Sequence, residues 1–288
     1  MHFGPDTIGR DAGRVKTTAT TRRLLAFAAV IDPDDGDALD DLVPAGPTAI
    51  PSFCAAIEWS LLSAADGSGA IAAIGGELSR YVHVAQDSLF HAPIRANAEL
   101  EVSGRIVGLS SVRAGVLLTL RIETRDAALG STLVTSWCTV LCRGATAEGS
   151  DRLVDAAPAL AVPGAVARSR VEIAVARGLP HLYAECSGIV NPIHTERRAA
   201  TAAGLPDILL QGTATWAIAG REIERRLGKP VGRRLCRLAG EFRAPVIPGS
   251  IVTLSHDAAQ ESATVVGFEV RTASGAVAIA NGRAALTG

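Results

Sequence analysis

The sequence predicts an α+β protein made of two copies of one module, each a long helix wrapped by an antiparallel sheet. Each half has a helix-forming stretch followed by a run of strand candidates, an order typical of α+β domains. Phe90–Ile94 (FHAPI) in the first half resembles Phe242–Val246 (FRAPV), which lies 152 residues later, about the length of one small domain. Between them, Gly144–Ala167 is rich in Ala, Pro, Gly and Asp and is long enough to cross from one module to the other.

The division of the chain follows from this repeat. We assign residues 1–21 to an N-terminal arm, 22–143 to the first module, 144–168 to a linker and 169–288 to the second module. The arm lacks the apolar core of a signal peptide, and no uninterrupted apolar run is long enough to cross a bilayer. We therefore expect a soluble, cytoplasmic protein.

Helices and strands can be predicted in order along the chain. Apolar residues at helical spacing predict a buried helix over Ser52–Ala65 and a longer one over Leu209–Leu227. The segment from Leu24 predicts a short helix or strand that runs into an acidic loop. Residues 67–76 predict a turn, because their glycines lack the pattern of a phosphate-binding loop. Alternation and β-branched content predict strands over Tyr81–Leu89, Glu99–Val107, Val116–Arg125, Ser131–Leu141, Arg237–Phe242, Ile251–Asp257, Ala263–Thr272 and Ala276–Leu286.

Composition limits the classes of function. Hydrophobic residues make up 48% of the 288 residues and the formal net charge is -1, so neither nucleic acid nor an anionic membrane is an expected partner. The five cysteines form no CxxC pair, and the six histidines lack metal-ligand spacing. We therefore expect no disulfide framework, no metal site and no cofactor.

One stretch, Tyr183–Gly212, holds most of the residues suited to chemistry. It reads YAECSGIVNPIHTERRAATAAGLPDILLQG, and its turn-forming Ser, Gly, Asn and Pro residues predict that a stiff irregular segment holds His194. The run Thr195–Ala203 predicts a helix with Thr195 as N-cap and Gly204 as its stop, which would place His194 ahead of a helix N-terminus. The positive end of that dipole would lower the pKa of His194 and favour a neutral ring able to accept a proton from water.

The same stretch resembles the signature of the MaoC-like, (R)-specific enoyl-CoA hydratases. That signature is roughly Y-A-x-x-S-G-D-x-N-P-hydrophobic-H-x-D/E, followed by G-x-x-x-P-I-hydrophobic-H-G. The matching residues are Tyr183, Ala184, Ser187, Gly188, Asn191, Pro192, Ile193, His194, Glu196, Gly204 and Gly212. Two positions differ: Ile189 stands where the family has its catalytic aspartate, and Gln211 stands where it usually has histidine. The resemblance runs from about Arg22 onward as a pattern, but the specific motif is confined to this stretch.

The resemblance implies a double hotdog fold, in which two modules pair their sheets edge to edge within one chain. It also implies hydration or dehydration of 2-enoyl and 3-hydroxyacyl thioesters, which requires acid/base groups around one water and stabilisation of a thioester oxyanion. Carried over, His194 is the acid/base, Asn191 the orienting amide and Gly212 the oxyanion donor. We further expect three residues to contact the substrate: Ile189, Tyr183 and Thr213.

The resemblance also sets the expected partners. The substrate would be an acyl-CoA or an acyl-carrier-protein thioester. Pairing of the two modules already covers two sheet edges, so both a monomer and a homodimer are open.

Ile189 leaves three functions open because it cannot transfer a proton. The first is a hydratase or dehydratase with His194 as its single acid/base. The second is an enzyme that uses one base for isomerisation or cyclisation of an acyl thioester, and the third is a catalytically impaired binding or partner module. Four carboxylates are candidates to replace the aspartate, and the sequence favours none of them: Glu58, Asp87, Glu185 and Glu196.

Other reactive residues have structural interpretations. Cys186 is expected to be a small apolar filler, and His83 and His91 to be surface or half-buried histidines. Gly212 could merely allow close packing of helix and sheet. Seven basic residues could meet the phosphates of coenzyme A, but a solvated helix end explains them as well or better: Arg221, Arg225, Arg226, Lys229, Arg233, Arg234 and Arg237.

Overall fold

One antiparallel sheet runs through both halves of the protein, in a computed structural model that describes residues 1–63, 70, 74, 80–161, 169–257 and 264–287. The strands of the first half are β1 (His2–Phe3), β2 (Asp11–Ala19), β3 (Tyr81–Phe90), β4 (Ala98–Val112), β5 (Gly115–Asp126), β6 (Thr132–Arg143), β7 (Thr146–Ala147) and β8 (Arg152–Leu153). Those of the second half are β9 (Ser169–Ala174), β10 (Leu235–Phe242), β11 (Ile251–His256), β12 (Val265–Arg271) and β13 (Val277–Leu286). Among the described residues the order across the sheet is β2-β4-β5-β6-β3-β10-β13-β12-β11-β9, with β8 beside β4.

Each half packs one main helix on its own part of this sheet. The helices are α1 (Thr21–Ile31), α2 (Gly36–Leu39), α3 (Cys54–Leu62), α4 (Leu179–Ser187), α5 (Pro192–Thr195), α6 (Arg197–Ala202) and α7 (Gly212–Ile223). Helix α3 contacts β2, β4 and β5, and α7 contacts β10 and β13. Their inward side chains, such as Ile57, Leu61 and Trp216, are fully buried. Two helices wrapped by the halves of one sheet make the double hotdog fold expected from the sequence.

The two halves join where β3 pairs with β10. Residues Arg237 to Glu241 run antiparallel to Leu89 down to Ala85, so backbone hydrogen bonds continue across the junction. This pairing covers two strand edges that would otherwise be exposed. We propose that the modules divide at residues 144–168, as the sequence suggested.

The internal repeat extends to individual hydrogen bonds. Before α3, the Ala49 N–H donates to the Ile94 carbonyl at 2.8 Å, and before α7 the Leu210 N–H donates to the Val246 carbonyl at 2.9 Å. Ile94 and Val246 are the last residues of the FHAPI and FRAPV repeats. The two modules therefore share this hydrogen bond just before their main helices.

Most predicted elements are present with small shifts at their ends. All eight predicted strands form, although residue 263 is outside the described residues. The helix predicted over Ser52–Ala65 is a 3-10 turn, Pro51–Phe53, followed by α3, and its last residues are undescribed, as are most of residues 67–76. The helix predicted over Leu209–Leu227 begins three residues late and continues past α7 as a π-helical turn, Glu224–Gly228.

The N-terminal arm is part of the first module's sheet. Its residues Asp11–Ala19 form β2, which pairs with β4, and the side chain of Thr20 caps α1 by accepting from the Arg23 N–H at 3.3 Å. Strand β9 was not predicted either. Strands β2 and β9 lie at the ends of the sheet, where the apolar alternation of a central strand is weak. The two-residue strands β1, β7 and β8 were also not predicted. Among the described residues, no helix is both long and apolar enough to cross a membrane.

Candidate active site

The signature begins in a helix, which corrects the predicted irregular segment. Helix α4 has Pro180 in its first turn and ends at Gly188, whose φ of 73° is left-handed. Proline near the start and glycine just past the end are ordinary helix boundary signals. Tyr183 is therefore inside a helix, and the irregular part is confined to residues 188–191.

His194 lies in a single helical turn whose start is capped by Asn191. The Asn191 Oδ1 accepts from the Ile193 N–H at 3.3 Å, so Asn191 caps the helical turn that contains His194. The prediction that Thr195 caps the next helix is wrong, because Thr195 ends α5 and Glu196 precedes α6. His194 therefore lies in the turn of α5, and it precedes the N-terminus of α6, which begins at Arg197.

The geometry of His194 defines which ring nitrogen is free. Its Nδ1 lies 2.8 Å from the Leu209 carbonyl oxygen. A carbonyl only accepts, so Nδ1 carries the hydrogen and Nε2 of the neutral ring keeps its lone pair. Burial lowers the pKa of His194, and the bond to Leu209 opposes this. The half-buried ring is therefore suited to act as a base through Nε2.

None of the four candidate carboxylates partners this ring. In the described part of the chain, the ring's hydrogen bond goes to a carbonyl, and no ion pair involves it. Glu185 and Glu196 are exposed. Asp87 is held by Arg237, while Glu58 accepts from Gln86. No described carboxylate is therefore hydrogen-bonded to His194 in place of the aspartate that the family pattern has at position 189.

Gly212 is the first residue of α7 and lies against an aromatic ring. Helix N-terminal N–H groups have no intrahelical acceptor, so the Gly212 N–H is available in principle to an oxyanion. A Cβ at this position would lie 3.0 Å from Cγ of Phe242. The Phe242 ring in turn meets the ring of His83 edge to face, with centroids 5.0 Å apart. Gly212 thus packs closely against Phe242, and a side chain at this position would require the Phe242 ring to move.

Gln211, a departure from the family pattern, ties two parts of the signature together. Its side chain is 1% exposed, and Nε2 donates to the Pro180 carbonyl at 3.0 Å. The start of α7 is thereby attached to the start of α4. Sequence reasoning noted this residue only as a mismatch, because its partner lies 31 residues away.

The expected substrate contacts are all buried. Tyr183 is 0% exposed and packs against the Phe27 ring at 5.7 Å between centroids. Ile189 and Thr213 are 8% and 6% exposed. Tyr183 lies in α4, Ile189 lies just after it, and Thr213 lies in the first turn of α7. Direct contact of these residues with a substrate stays a prediction.

The first module contains a buried polar network that sequence reasoning missed. Ser136 Oγ donates to Glu58 Oε1, and Gln86 Nε2 donates to Glu58 Oε2 at 2.9 Å. Gln86 also donates to Ser88 at 2.9 Å. Burial raises the pKa of Glu58 to about 7, and burial lowers the pKa of His83 to about 4. Glu58 is thus partly protonated and His83 neutral near neutral pH.

The basic cluster is only partly a solvated helix end. Arg225 and Arg226 are exposed and pair with Glu222, as that interpretation requires. Arg221, however, is buried at 7% side-chain exposure, and it is enclosed by three carboxylates: Asp32, Asp35 and Glu224. Arg237 is also buried. Burial of charge is possible here because every buried guanidinium in the cluster has a carboxylate partner.

Comparison with known proteins identifies the second half. Residues 159–281 match the family model described as MaoC like domain. The second module is similar to a MaoC-like domain over these residues. A curated relative, 3-hydroxyacyl-thioester dehydratase Y of Mycobacterium tuberculosis (strain ATCC 25618 / H37Rv), is 28% identical over 176 residues. That match covers 60% of this chain and 60% of the relative's length. The matched residues contain the complete stretch Tyr183–Gly212 that carried the resemblance.

Solved structures share the fold along nearly the whole chain. A MaoC-like dehydratase from Phytophthora capsici has a TM-score of 0.80 at 18% identity, over 98% of both chains. The peroxisomal multifunctional enzyme type 2 from Drosophila melanogaster has a TM-score of 0.75 at 18% identity, over 95% of this chain and 48% of its own. A conserved Mycobacterium tuberculosis protein with a double hotdog fold has a TM-score of 0.63 at 18% identity, over 97% and 95%. The double hotdog prediction is confirmed.

Proposed function

We propose that this protein is a hydro-lyase that adds water to 2-enoyl thioesters or removes it from 3-hydroxyacyl thioesters. The observation that carries the proposal is the His194 ring, whose Nδ1–H is held by the Leu209 carbonyl and whose Nε2 is free to take a proton. The similarity of residues 159–281 to a MaoC-like domain and a relative named as a 3-hydroxyacyl-thioester dehydratase support the reaction class. The substrate would be an acyl-CoA or an acyl-carrier-protein thioester.

One acid/base group can complete the reaction. In hydration, Nε2 of His194 takes a proton from water while the water oxygen bonds to the β-carbon, and electrons move to the thioester oxygen. The Gly212 N–H stabilises that oxyanion. The enolate then collapses, and its α-carbon takes the proton back from Nε2, so that one water has been added and His194 is neutral again. Dehydration is the reverse sequence.

Asn191 and Ile189 have different parts in this scheme. Asn191 holds the turn that presents His194, since its side chain caps α5. Ile189 cannot exchange protons, so it adds apolar surface beside the reacting carbons. His194 is then the one group in the scheme that takes a proton from the attacking water. We expect a lower turnover than with two acid/base groups, by a factor of about 10² to 10⁴.

Hydration of crotonyl-CoA, followed by loss of the conjugated thioester absorbance, tests the proposal. His194→Ala should reduce turnover to the level of a protein-free sample, because no other group in the scheme moves a proton. His2→Ala, at an exposed histidine near the N-terminus, is the matched control and should retain wild-type turnover. Equal activity of His194→Ala and wild type would exclude His194 as the acid/base.

A second candidate is single-base isomerisation or cyclisation of an acyl thioester, and the buried Ile189 at the expected aspartate position favours it. The Ile189→Asp variant separates the two. If wild type hydrates crotonyl-CoA and His194→Ala does not, hydration is the native reaction. If only Ile189→Asp hydrates it, wild type either uses its one base for another reaction or is a binding module.

A further inference from the structure

A cavity of about 500 Å³ lies between the modules, away from His194. The first module contributes residues 35–51 and Phe90–Arg95, and the second contributes the end of α7 and the start of β10. No residue of Tyr183–Gly212 lines it. Its volume is in the range of sites that bind small molecules.

The cavity is the counterpart of the candidate active site in the internal repeat. It is lined by the segment that precedes α3 and by FHAPI, whereas His194 and Gly212 belong to the segment that precedes α7, beside FRAPV. The matched bonds of Ala49 and Leu210 align these segments, and two residues later they reach Pro51 and Gly212. The residues just before these two have nearly the same backbone angles, φ −62° and ψ 140° for Ile50, φ −57° and ψ 136° for Gln211.

This counterpart cannot catalyse the proposed reaction. Pro51 has no N–H, so the position equivalent to Gly212 cannot donate to an oxyanion. Residues 30–51 contain no histidine and no asparagine, so the counterparts of His194 and Asn191 are missing as well. His91 of FHAPI also lines the cavity, and its Nε2 is hydrogen-bonded to Thr135 Oγ1 at 3.0 Å. The cavity is nevertheless present in the first module's counterpart of the site. A cavity without the reacting groups can still bind a molecule that is similar to the substrate in shape.

The charges of the cavity favour an anionic amphiphile. Its wall is largely apolar and includes Ile50 and Phe90. Arg221 and Lys229 are paired with carboxylates. At the rim, however, Arg95 and Arg234 are exposed and form no ion pair within the described residues. The acyl chain of a ligand could thus pack against the apolar wall, while its phosphate-bearing head group contacts Arg95 and Arg234 at the rim.

We propose that this cleft is a second, non-catalytic site for an acyl thioester of coenzyme A. The proposal takes its ligand class from the proposed function and adds a site to it. Two ligands would then bind to one chain, one beside His194 and one between Pro51 and the rim arginines.

Binding of decanoyl-coenzyme A, measured by calorimetry on the full chain, tests the second site. This thioester is saturated and has no 3-hydroxyl group, so it can be neither hydrated nor dehydrated. Wild type should bind two equivalents. Arg95→Glu/Arg234→Glu should weaken one of them by about tenfold or more, through loss of two attractive charges and gain of two repulsive ones.

The matched control is Arg113→Glu/Arg283→Glu, which makes the same charge change at two exposed arginines that do not line the cavity. It should bind like wild type. One equivalent in wild type, or identical isotherms for Arg95→Glu/Arg234→Glu and wild type, would overturn the second site. Two equivalents without crotonyl-CoA turnover would leave the second site standing and reject the proposed reaction, whereas turnover with one equivalent would do the opposite.

Discussion

Arg237 on β10 holds Asp87 on β3 through two parallel hydrogen bonds, Nε to Oδ1 at 2.8 Å and Nη2 to Oδ2 at 2.7 Å. The side chains are 6% and 22% exposed. Because β3 and β10 form the junction of the two half-sheets, this ion pair connects the modules across the strand pairing that unites them. It also removes Asp87 from the carboxylates that could assist His194.

We expect Asp87→Asn to lower the free energy of unfolding by about 3 kcal/mol, because the Arg237 charge is left buried without its counter-ion. Chemical denaturation measures the change. Arg243→Gln breaks an exposed pair with Glu241 and is the control, with an expected loss below about 1 kcal/mol. The double variant Asp87→Leu/Arg237→Met should regain most of the loss. An unchanged denaturation midpoint for Asp87→Asn would contradict a stabilising role.

The oxyanion role of Gly212 can be separated from its packing role. Phe242→Ala removes the ring that a Cβ at position 212 would meet at 3.0 Å. In that background, Gly212→Ala keeps the N–H and Gly212→Pro removes it. Proline is compatible with the first position of a helix and with the extended angles of Gln211 before it.

We expect the Gly212→Pro/Phe242→Ala double variant to have a kcat about 10²- to 10³-fold below Gly212→Ala/Phe242→Ala, the usual effect of losing one oxyanion donor. Circular dichroism and melting temperature should be alike for the two. Similar kcat values would mean that Gly212 serves packing alone.

The pKa of Glu58 predicts a pH-dependent stability term. Burial raises this pKa from 4.5 to about 7, so the native state binds a proton that the unfolded state has released between these values. Its contribution is therefore present below pH 4.5 and is lost as pH rises through about 7. Relative to Glu58→Gln, wild type should lose about 3 kcal/mol of unfolding free energy over that interval. Glu196→Gln, at an exposed position, is the matched control. Parallel wild-type and Glu58→Gln curves would contradict the assignment.

The lowered pKa of His194 predicts the acid limb of the rate profile. Burial holds this pKa below 6.5, and the base is active only when neutral. The value of kcat/KM for crotonyl-CoA should therefore be constant near pH 7.5 and fall tenfold per pH unit well below the His194 pKa. The inflection should lie below pH 6.5. An inflection above 6.5 would indicate a different base, and nuclear magnetic resonance titration of the His194 ring provides the independent value.

Gln211 predicts a positioning effect on both stability and rate. Gln211→Leu removes the side-chain hydrogen bond to the Pro180 carbonyl, which should cost about 1 kcal/mol. It should also lower kcat more than it raises KM, because the start of α7 is released from α4. Gln211→His, the residue usual in related signatures, should restore both. If Gln211→Leu changes stability but leaves kcat unaltered, the contact between α7 and α4 is structural only.

Central elements of the fold could be predicted because they carry strong local patterns. Strand β5 alternates over many residues, β6 is rich in apolar and β-branched residues, and α7 combines an apolar run with a charged end. The edge strands β2 and β9 escaped prediction because a strand with one neighbour has less need of apolar residues on both faces. Helix α4 could have been predicted from Pro180 and Gly188, which are both ordinary helix boundary signals. The turn-forming Ser, Gly, Asn and Pro residues that follow led instead to the prediction of an irregular segment.

The candidate site was predictable by residue type and not by geometry. The spacing of Asn191, His194 and Gly212 was readable, and so was the missing carboxylate at Ile189. Burial, which lowers the pKa of His194, could not be predicted from the sequence, because burial depends on how the whole module packs. The contact of Phe242 with Gly212 joins residues 30 positions apart, and no local periodicity encodes it.

By itself the sequence determined a duplicated α+β fold, a candidate site around His194 in the second module, and isoleucine in place of the family's aspartate at position 189. Only the tertiary structure decided which His194 nitrogen is free and that Asp87 and Glu58 are hydrogen-bonded to other residues. It also decided that Pro51, which has no N–H, occupies the position in the first module that corresponds to Gly212. The physical reason is that amphipathic period and turn chemistry are properties of neighbours in the chain. Hydrogen-bond partners, burial and cavities arise between residues that only folding brings together.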